Sequence, residues 1–306
     1  MQIVTDILKY DKRPCAATIG SFDGLHRGHM AMLGELRAAA ASKGLPLMVV
    51  TFATHPRRFF DKEGAPFLLT PVPVKVRLLE SAGVDICVLL DFNSEMAGMQ
   101  AGRFMKEILV ERLGVQLLAV GYDHHFGKPV PGEGLEQYIG YGKGLGVDVF
   151  GTHPLVLDGT AVSSSAVRRA LSAGDVELAA SLLGRCYSLS GAVVHGAGIG
   201  RVLGFPTANI SPACTEQMLP LDGVYETDVT IGGVEYKGVM NIGVKPTVSG
   251  KERTLEVHVI GFDGDIYGKE IEVRFVRRLR GEQVFDNVNA LRFQIEVDIA
   301  RVKRGI

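Results

Sequence analysis

Two histidines three residues apart, His26 and His29, close the stretch Thr18-Ile-Gly-Ser-Phe-Asp-Gly-Leu-His-Arg-Gly-His, which Gly20, Gly24 and Gly28 punctuate. A short apolar run precedes it, and an alanine- and leucine-rich segment over 30–42 follows with helical character. A strand that turns through glycines into a helix start leaves unpaired N–H groups and the positive end of a helix dipole at one point. The two imidazoles share one face of that helix. Imidazoles and free amides together suit a polyphosphate. A zinc site takes three or four protein ligands, a set that the stretch does not complete. A structural pair of loop histidines would account for two isolated residues, but not for the glycines around them. The pattern is not a Walker A loop, which ends in Gly-Lys-Ser/Thr.

The elements that must position this loop are legible as alternating runs. Strand-like apolar segments recur at 14–20, 47–52, 86–90, 117–120 and 147–150, with helical patterns at 30–42, 74–82, 101–113 and 135–143 between them. Continuous apolar strands alternating with helices predict a parallel sheet covered on both faces. Ligands then collect beyond the carboxyl ends of the strands. The polar loops fall there: Thr54-His55-Pro56-Arg57 after the second strand, Gly121-Tyr-Asp-His-His-Phe-Gly127 after the fourth and Thr152-His153-Pro154 after the fifth. Downstream, Ser163-Ser164-Ser165-Ala166-Val167-Arg168 opens a helix. Serines cap helices as a matter of course, but an arginine one turn in offers a fixed fork of donors to phosphate.

The loop and the serine–arginine run together resemble the HxGH nucleotidyltransferase superfamily. With His55-Pro-Arg57 and Gly121-x-Asp123-x-x-Phe126-Gly127, the first half is similar to the adenylyltransferase module of bacterial bifunctional FAD synthetases. The resemblance implies a Rossmann-like α/β domain over 1–185 that transfers AMP from ATP to FMN and releases pyrophosphate. It implies that Gly20, Phe22, Asp23, His26, Gly28, His29, Asp123, Ser164, Ser165 and Arg168 meet ATP, with His26, His29 and Arg168 catalytic. His55, Arg57, Asp123 and Phe126 fall on the flavin side. Two positions depart from the pattern: His124 replaces an expected phenylalanine, and Ala166 occupies a position that is often basic.

After a short helix over 176–183, the composition changes near 184–188. Strand-like runs at 187–195, 223–231, 235–242, 254–260 and 270–275 follow, with turn signals Gly232-Gly233 and Asp263-Gly264-Asp265 between some of them and a helical stretch at 288–303 behind. Short strands joined by turns predict an antiparallel barrel with a helix packed on it. The glycines of 196–204 do not fit GxGxxG, and Pro206 stands where a helix would run, so this is a flexible loop rather than a dinucleotide site. Thr207 and Asn209 alternate along an extended segment and point the same way. Two neutral oxygens on one side suit Mg²⁺; an ordinary polar turn after proline is the plainer alternative. Phe285, Leu291 and Ile295 line a flavin pocket or simply pack a helix on the barrel.

The run His195-Gly-x-Gly-x-Gly-Arg-x-Leu-Gly-Phe-Pro-Thr-Ala-Asn209, Asn241-Ile-Gly-Val-Lys-Pro-Thr247, Glu256-Val-His258 and Phe262-Asp-Gly-Asp-Ile-Tyr-Gly-Lys269 resembles riboflavin kinase across 186–306. That resemblance implies a six-stranded barrel that binds Mg-ATP and riboflavin and makes FMN. Gly196, Gly198, Gly200, Arg201, Gly204 and Pro206 would cover the phosphates, Thr207 and Asn209 would hold Mg²⁺, and Glu256 would be the general base beside the flavin, with Phe285 and Leu291. The aspartates of 263–265 are taken as turn formers.

The 306 residues are 46% hydrophobic, enough for two packed cores, and a formal charge of −1 argues against an extended polyanion surface. Cys15, Cys87, Cys186 and Cys214 show no CxxC spacing, as expected of reduced thiols. No signal peptide and no apolar run of membrane-spanning length are apparent. The expectation is a cytoplasmic enzyme whose partners are riboflavin, FMN and ATP, with weak self-association and no nucleic acid or membrane. The rival readings are a kinase with a silent first half, a flavin storage protein and a nucleic-acid-binding barrel, the last lacking a basic stripe with interleaved aromatics.

Overall fold

The computed structural model describes residues 1–61, 67–122, 126–128, 130–196, 198–247 and 250–305. The chain divides into two compact units, Met1–Ser164 and Ser165–Ile306.

The first unit runs β1 (Gln2–Val4), β2 (Cys15–Ile19), α1 (Arg27–Ala41), β3 (Leu47–Phe52), α2 (Pro56–Phe60), α3 (Val72–Ser81), β4 (Ile86–Leu90), α4 (Ser94–Gly98), α5 (Ala101–Phe104), β5 (Val115–Val120), α6 (Leu135–Leu145), β6 (Asp148–Gly151), β7 (Val156–Leu157) and β8 (Thr160–Ala161). Six strands form a parallel sheet in the order β1-β4-β3-β2-β5-β6. Every residue of β2 and β3 is buried, as their unbroken apolar runs require of a sheet covered on both faces. One apolar core gathers around Ile19, Met48, Phe104 and Tyr138, the other around Leu33, Leu36, Val49 and Leu79. Strand order reverses between β2 and β5, so the crevice that such sheets offer to ligands opens beyond Ile19 and Val120.

Besides the short α4, β7 and β8, which the sequence reading does not include, three departures have a local explanation. β1 is too short to stand out from a polar N-terminal segment. The loop at His55 contains the five-residue α2. The helix expected over 101–113 is α-helical only as far as Phe104 and continues as a π-helix over Met105–Arg112, where Leu113 N–H reaches back to the Ile108 carbonyl at 3.0 Å.

The second unit takes in most of α7 (Ser164–Ala173), then α8 (Val176–Leu183), β9 (Tyr187–Val194), α9 (Ile199–Val202), β10 (Ala208–Pro212), β11 (Gly223–Ile231), β12 (Val234–Thr247), β13 (Gly250–Val259), β14 (Glu270–Arg280) and α10 (Val288–Arg304). The division between units falls earlier than the composition change near 184–188, because these two helices pack with the strands. α8 lies against β9 and β14, and Leu221 N–H bonds the Leu171 carbonyl at 2.9 Å. The six strands close into an antiparallel barrel, β10-β13-β12-β11-β14-β9. Along β9, Tyr187, Leu189, Gly191 and Val193 are buried while Ser188, Ser190 and Ala192 are partly exposed, the period-2 signature of a wall with one dry face. β10 is the strand that sequence patterning left as an extended segment. Prolines at 206 and 212 flank a pairing with β9 and β13 that only tertiary structure supplies.

Candidate active sites

In the first unit, the loop after β2 coils through Phe22, Gly24 and Leu25, at φ 49°, 84° and 36°. Left-handed backbone is unfavourable for phenylalanine and leucine, and burial holds both there, at 1% and 2% exposure. His26 caps α1: its Nδ1 accepts the His29 N–H at 3.3 Å, and the two rings stack 3.7 Å apart between centroids. Accepting through Nδ1 leaves Nε2 of a neutral His26 as the donor. Gly28 has to be glycine, since a Cβ would lie 2.9 Å from the Val162 carbonyl and 3.1 Å from His26 Nδ1. Ser164, the first residue of α7, donates to the Asp23 carbonyl at 2.8 Å, which ties the loop down.

Two of the residues expected at ATP also have structural tasks. Phe22 is core. The Asp23 carboxylate, 2% exposed, accepts the N–H groups of Leu69 and Thr70 at 3.0 Å each, so its charge is turned into the protein. Phe126, expected at the flavin, is also a core residue here: it is 6% exposed, stacked on Tyr138 at 4.5 Å and tilted against Phe104. Asp123 and His124 lie outside the described residues.

His55 caps α2 by accepting the Arg57 N–H at 3.1 Å and meets Phe67 edge-on. The Arg57 and Arg58 guanidinium groups sit 4.9 and 5.1 Å from the same ring, so the arginines are stacked on a buried phenylalanine that sequence spacing gave no sign of. Ser165 is exposed and Arg168 half-buried on α7, whereas Ala166 is buried.

The second unit builds its site on the outer wall of the barrel. Strand register sets Asn209 opposite Glu256, Glu256 opposite Asn241, Asn241 opposite Val224 and Val224 opposite Arg280, one lateral rung across five strands. Thr207 Oγ1 lies 3.4 Å from Glu256 Oε2, within hydrogen-bond reach. Two cavities adjoin it. One, of about 340 Å³, is lined by Leu203, Phe205, Val239, Phe285, Leu291 and Ile295 on its apolar side and by Asn241, Glu256, His258 and Arg280 on its polar side. Phe285 and Leu291, expected on the flavin side, both line this cavity. The other, of about 450 Å³, is lined by Arg201, Pro206, Phe262 and the 263–267 loop. Thr207 belongs to both walls.

The glycine loop contains the single-turn α9, and its close approaches explain its composition. A Cβ on Gly196 would fall 2.1 Å from the Asn209 amide nitrogen, and one on Gly200 would fall 2.5 Å from the Phe205 carbonyl. Gly198 and Gly204 have φ 70° and 87°. The first cavity, of about 340 Å³, is also lined by a pair that sequence reasoning missed. Asp298 on α10, 1% exposed, accepts from Arg280 Nε and from Gln294 Nε2, both at 2.9 Å. His258 was quoted only as part of a motif, and its Nδ1 meets the Pro206 carbonyl at 2.8 Å, next to Thr207. Asp265 is a turn former as expected, accepting the Tyr267 N–H at 2.9 Å, yet Asp263 and Asp265 also line the larger cavity. Among the described residues no group of three His, Cys, Asp or Glu side chains is placed to hold a metal.

Comparison with known proteins agrees with this division. A family model for FAD synthetase matches residues 8–166, and one for riboflavin kinase matches 183–306. The bifunctional riboflavin kinase/FMN adenylyltransferase of Pseudomonas fluorescens is 42% identical over 307 residues, covering 99% of this chain and 97% of the relative. Its counterpart in Escherichia coli K12 is 38% identical, covering 97% and 96%. A solved structure from Streptococcus pneumoniae, described as a macrolide-efflux protein, matches with a TM-score of 0.89 at 29% identity and covers 98% of each chain. No helix among the described residues of the present chain is long and apolar enough to cross a membrane. With both halves matched and relatives aligned along nearly its whole length, the chain belongs to the family of bifunctional riboflavin kinases/FMN adenylyltransferases.

Proposed function

We propose that the two transferase activities of this family are divided along the chain, with adenylylation of FMN carried by residues 1–185 and phosphorylation of riboflavin by residues 186–306. ATP is a substrate twice, FMN is product and then substrate, and FAD is the end product. The single observation that carries the assignment is Thr207, which lines both cavities of the barrel and stands beside Glu256. A phosphoryl donor in one cavity and an alcohol in the other would meet there.

In the kinase step the flavin's ring system fills the cavity between the barrel wall and α10. Glu256 takes the proton of the ribityl hydroxyl, whose oxygen attacks the γ-phosphorus of ATP and releases ADP. A neutral alcohol needs such a base. Thr207 and Asn209 would hold Mg²⁺, which shares phosphate oxygens and offsets their charge. Their neutral oxygens, from Thr207 just before β10 and Asn209 within it, fit a cation that arrives with its nucleotide. Gly196, Gly198, Gly200, Arg201, Gly204 and Pro206 close over the phosphates.

In the adenylyl step a phosphate oxygen of FMN attacks the α-phosphorus of ATP and pyrophosphate leaves. The nucleophile is already anionic, so alignment and charge neutralisation carry the catalysis. His26 Nε2, His29 and the amides at the start of α1, with Gly20 and Gly28 giving close approach, receive the triphosphate. Asp123, Ser164, Ser165 and Arg168 are assigned to nucleotide phosphates, and His55 and Arg57 to the flavin side, through the motif. The reaction partners are riboflavin, FMN and ATP, the site of action is the cytoplasm, self-association is weak, and nucleic acid is no partner.

Chromatography of flavins after incubation with riboflavin, ATP and Mg²⁺ tests the reading. FMN followed by FAD is the expected result. FMN alone would overturn the adenylyl assignment, and bound riboflavin without product would overturn both.

A further inference from the structure

Beneath the loop after β2 lies a cation that neither reaction scheme uses. Lys75 on α3 is 6% exposed, and its Nζ donates to the Ser21 carbonyl at 3.1 Å, to Thr51 Oγ1 at 3.1 Å and to the Phe52 carbonyl at 3.0 Å. An ammonium has three N–H donors and no acceptor, so these contacts match its full capacity, whereas a neutral amine, with two, could keep all three only by taking the Thr51 hydroxyl proton away from the Ser21 carbonyl. Thr51, with no exposed surface, donates in turn to the Ser21 carbonyl at 3.1 Å. Burial pulls the Lys75 pKa down, and the nearby Asp23 carboxylate opposes that pull.

The location is what gives the residue meaning. Ser21 lies in the loop that carries His26 and His29, and Thr51 and Phe52 end β3 just before the loop that carries His55 and Arg57. One ammonium thus joins two loops that leave the carboxyl ends of adjacent strands. A purely structural tie could be made by a neutral amide without the cost of dehydrating a charge. A charge kept here is bonded to the Ser21 carbonyl of the loop that leads into α1, in a setting where water screens it little.

We infer that Lys75 is a positioning residue for adenylyl transfer. Its ammonium fixes the loop of 20–25 against the end of β3, which sets the direction of the imidazoles and amides that hold the triphosphate, and it adds positive charge at that loop. The inference rests on the adenylyl assignment of the first unit.

The test uses the full chain with Lys75→Met, which keeps the stem and removes the donors and the charge. FAD formation from FMN is measured together with riboflavin consumption, the latter reporting the folded fraction. The expected result is a fall of about a hundredfold in kcat for FAD formation and a raised KM for ATP, with riboflavin consumption unchanged. A smaller folded fraction lowers an apparent kcat but cannot raise a KM. Thr51→Val, which removes one acceptor and keeps the shape, should move both parameters the same way by less, and the double variant should lose no more than Lys75→Met alone.

Lys75→Met with wild-type KM for ATP, or with both activities reduced in step, would overturn the inference. If that variant does not fold, Thr51→Val alone decides: a raised KM supports the role and a wild-type KM refutes it. A wild-type chain that makes FMN but no FAD would overturn the adenylyl assignment, and this inference with it.

Discussion

The two units handle the same nucleotide with opposite constructions. In the first, the functional groups sit on loops beyond the ends of a parallel sheet, and buried polar anchors hold those loops: Asp23 on the amides of Leu69 and Thr70, Lys75 on Ser21, and Ser164 on Asp23. In the second, the groups proposed for the kinase step sit on the strands themselves, as the outward residues of a rung that runs from Asn209 through Glu256 to Asn241. The chemistry differs in parallel. An anionic nucleophile asks for donors aimed at phosphate, which a coiled loop at a helix start supplies. A neutral alcohol asks for one carboxylate in a fixed place, which a rigid wall supplies.

Three substitutions or probes test how separate these constructions are. The largest effect is expected from Glu256→Gln, which keeps shape and removes the base. FMN formation should fall by about 10²–10⁴-fold, while supplied FMN is still converted to FAD at the wild-type rate. A fall in both activities would break the division. His29→Ala should reverse the pattern: FAD formation drops by about 10²–10³-fold, riboflavin consumption is unchanged, and FMN accumulates on the chromatogram.

The smallest effect concerns thiols and leaves activity untouched. Cys15 and Cys87 in the first unit are buried, which pushes them up to about 12 and about 11, whereas Cys186 and Cys214 in the second are half-exposed. Labelling the native chain at about pH 8 should modify only the second unit's pair. Mass spectrometry of the labelled peptides checks this, and label on Cys15 would show that the first core opens.

The contrast also explains what could be read from sequence. The parallel sheet was legible because its strands are unbroken apolar runs, and the histidine loop because its residues are neighbours in the chain. The barrel was legible as a series of strands, but β10 was not, since Ala208–Pro212 has no pattern of its own and exists through pairing with β9 and β13. The packing of Phe126 was hidden for a related reason. A motif gives spacing, whereas the stacking on Tyr138 that buries it is a tertiary fact. Lys75 and the pair of Arg280 with Asp298 left no mark because a lysine or aspartate in an amphipathic helix reads as solvent-facing until the partner across the fold is known.

The rung has one more consequence. Side chains alternate along a strand, so slipping β13 by a single residue against β12 would turn Glu256 inward and bring Leu255 or Val257 to the outer wall. The carboxylate proposed as the base is therefore a register mark as well. A chain that mispairs these strands would be catalytically silent even with every residue present, and the kinase rate becomes a proofreading signal for correct assembly of the barrel.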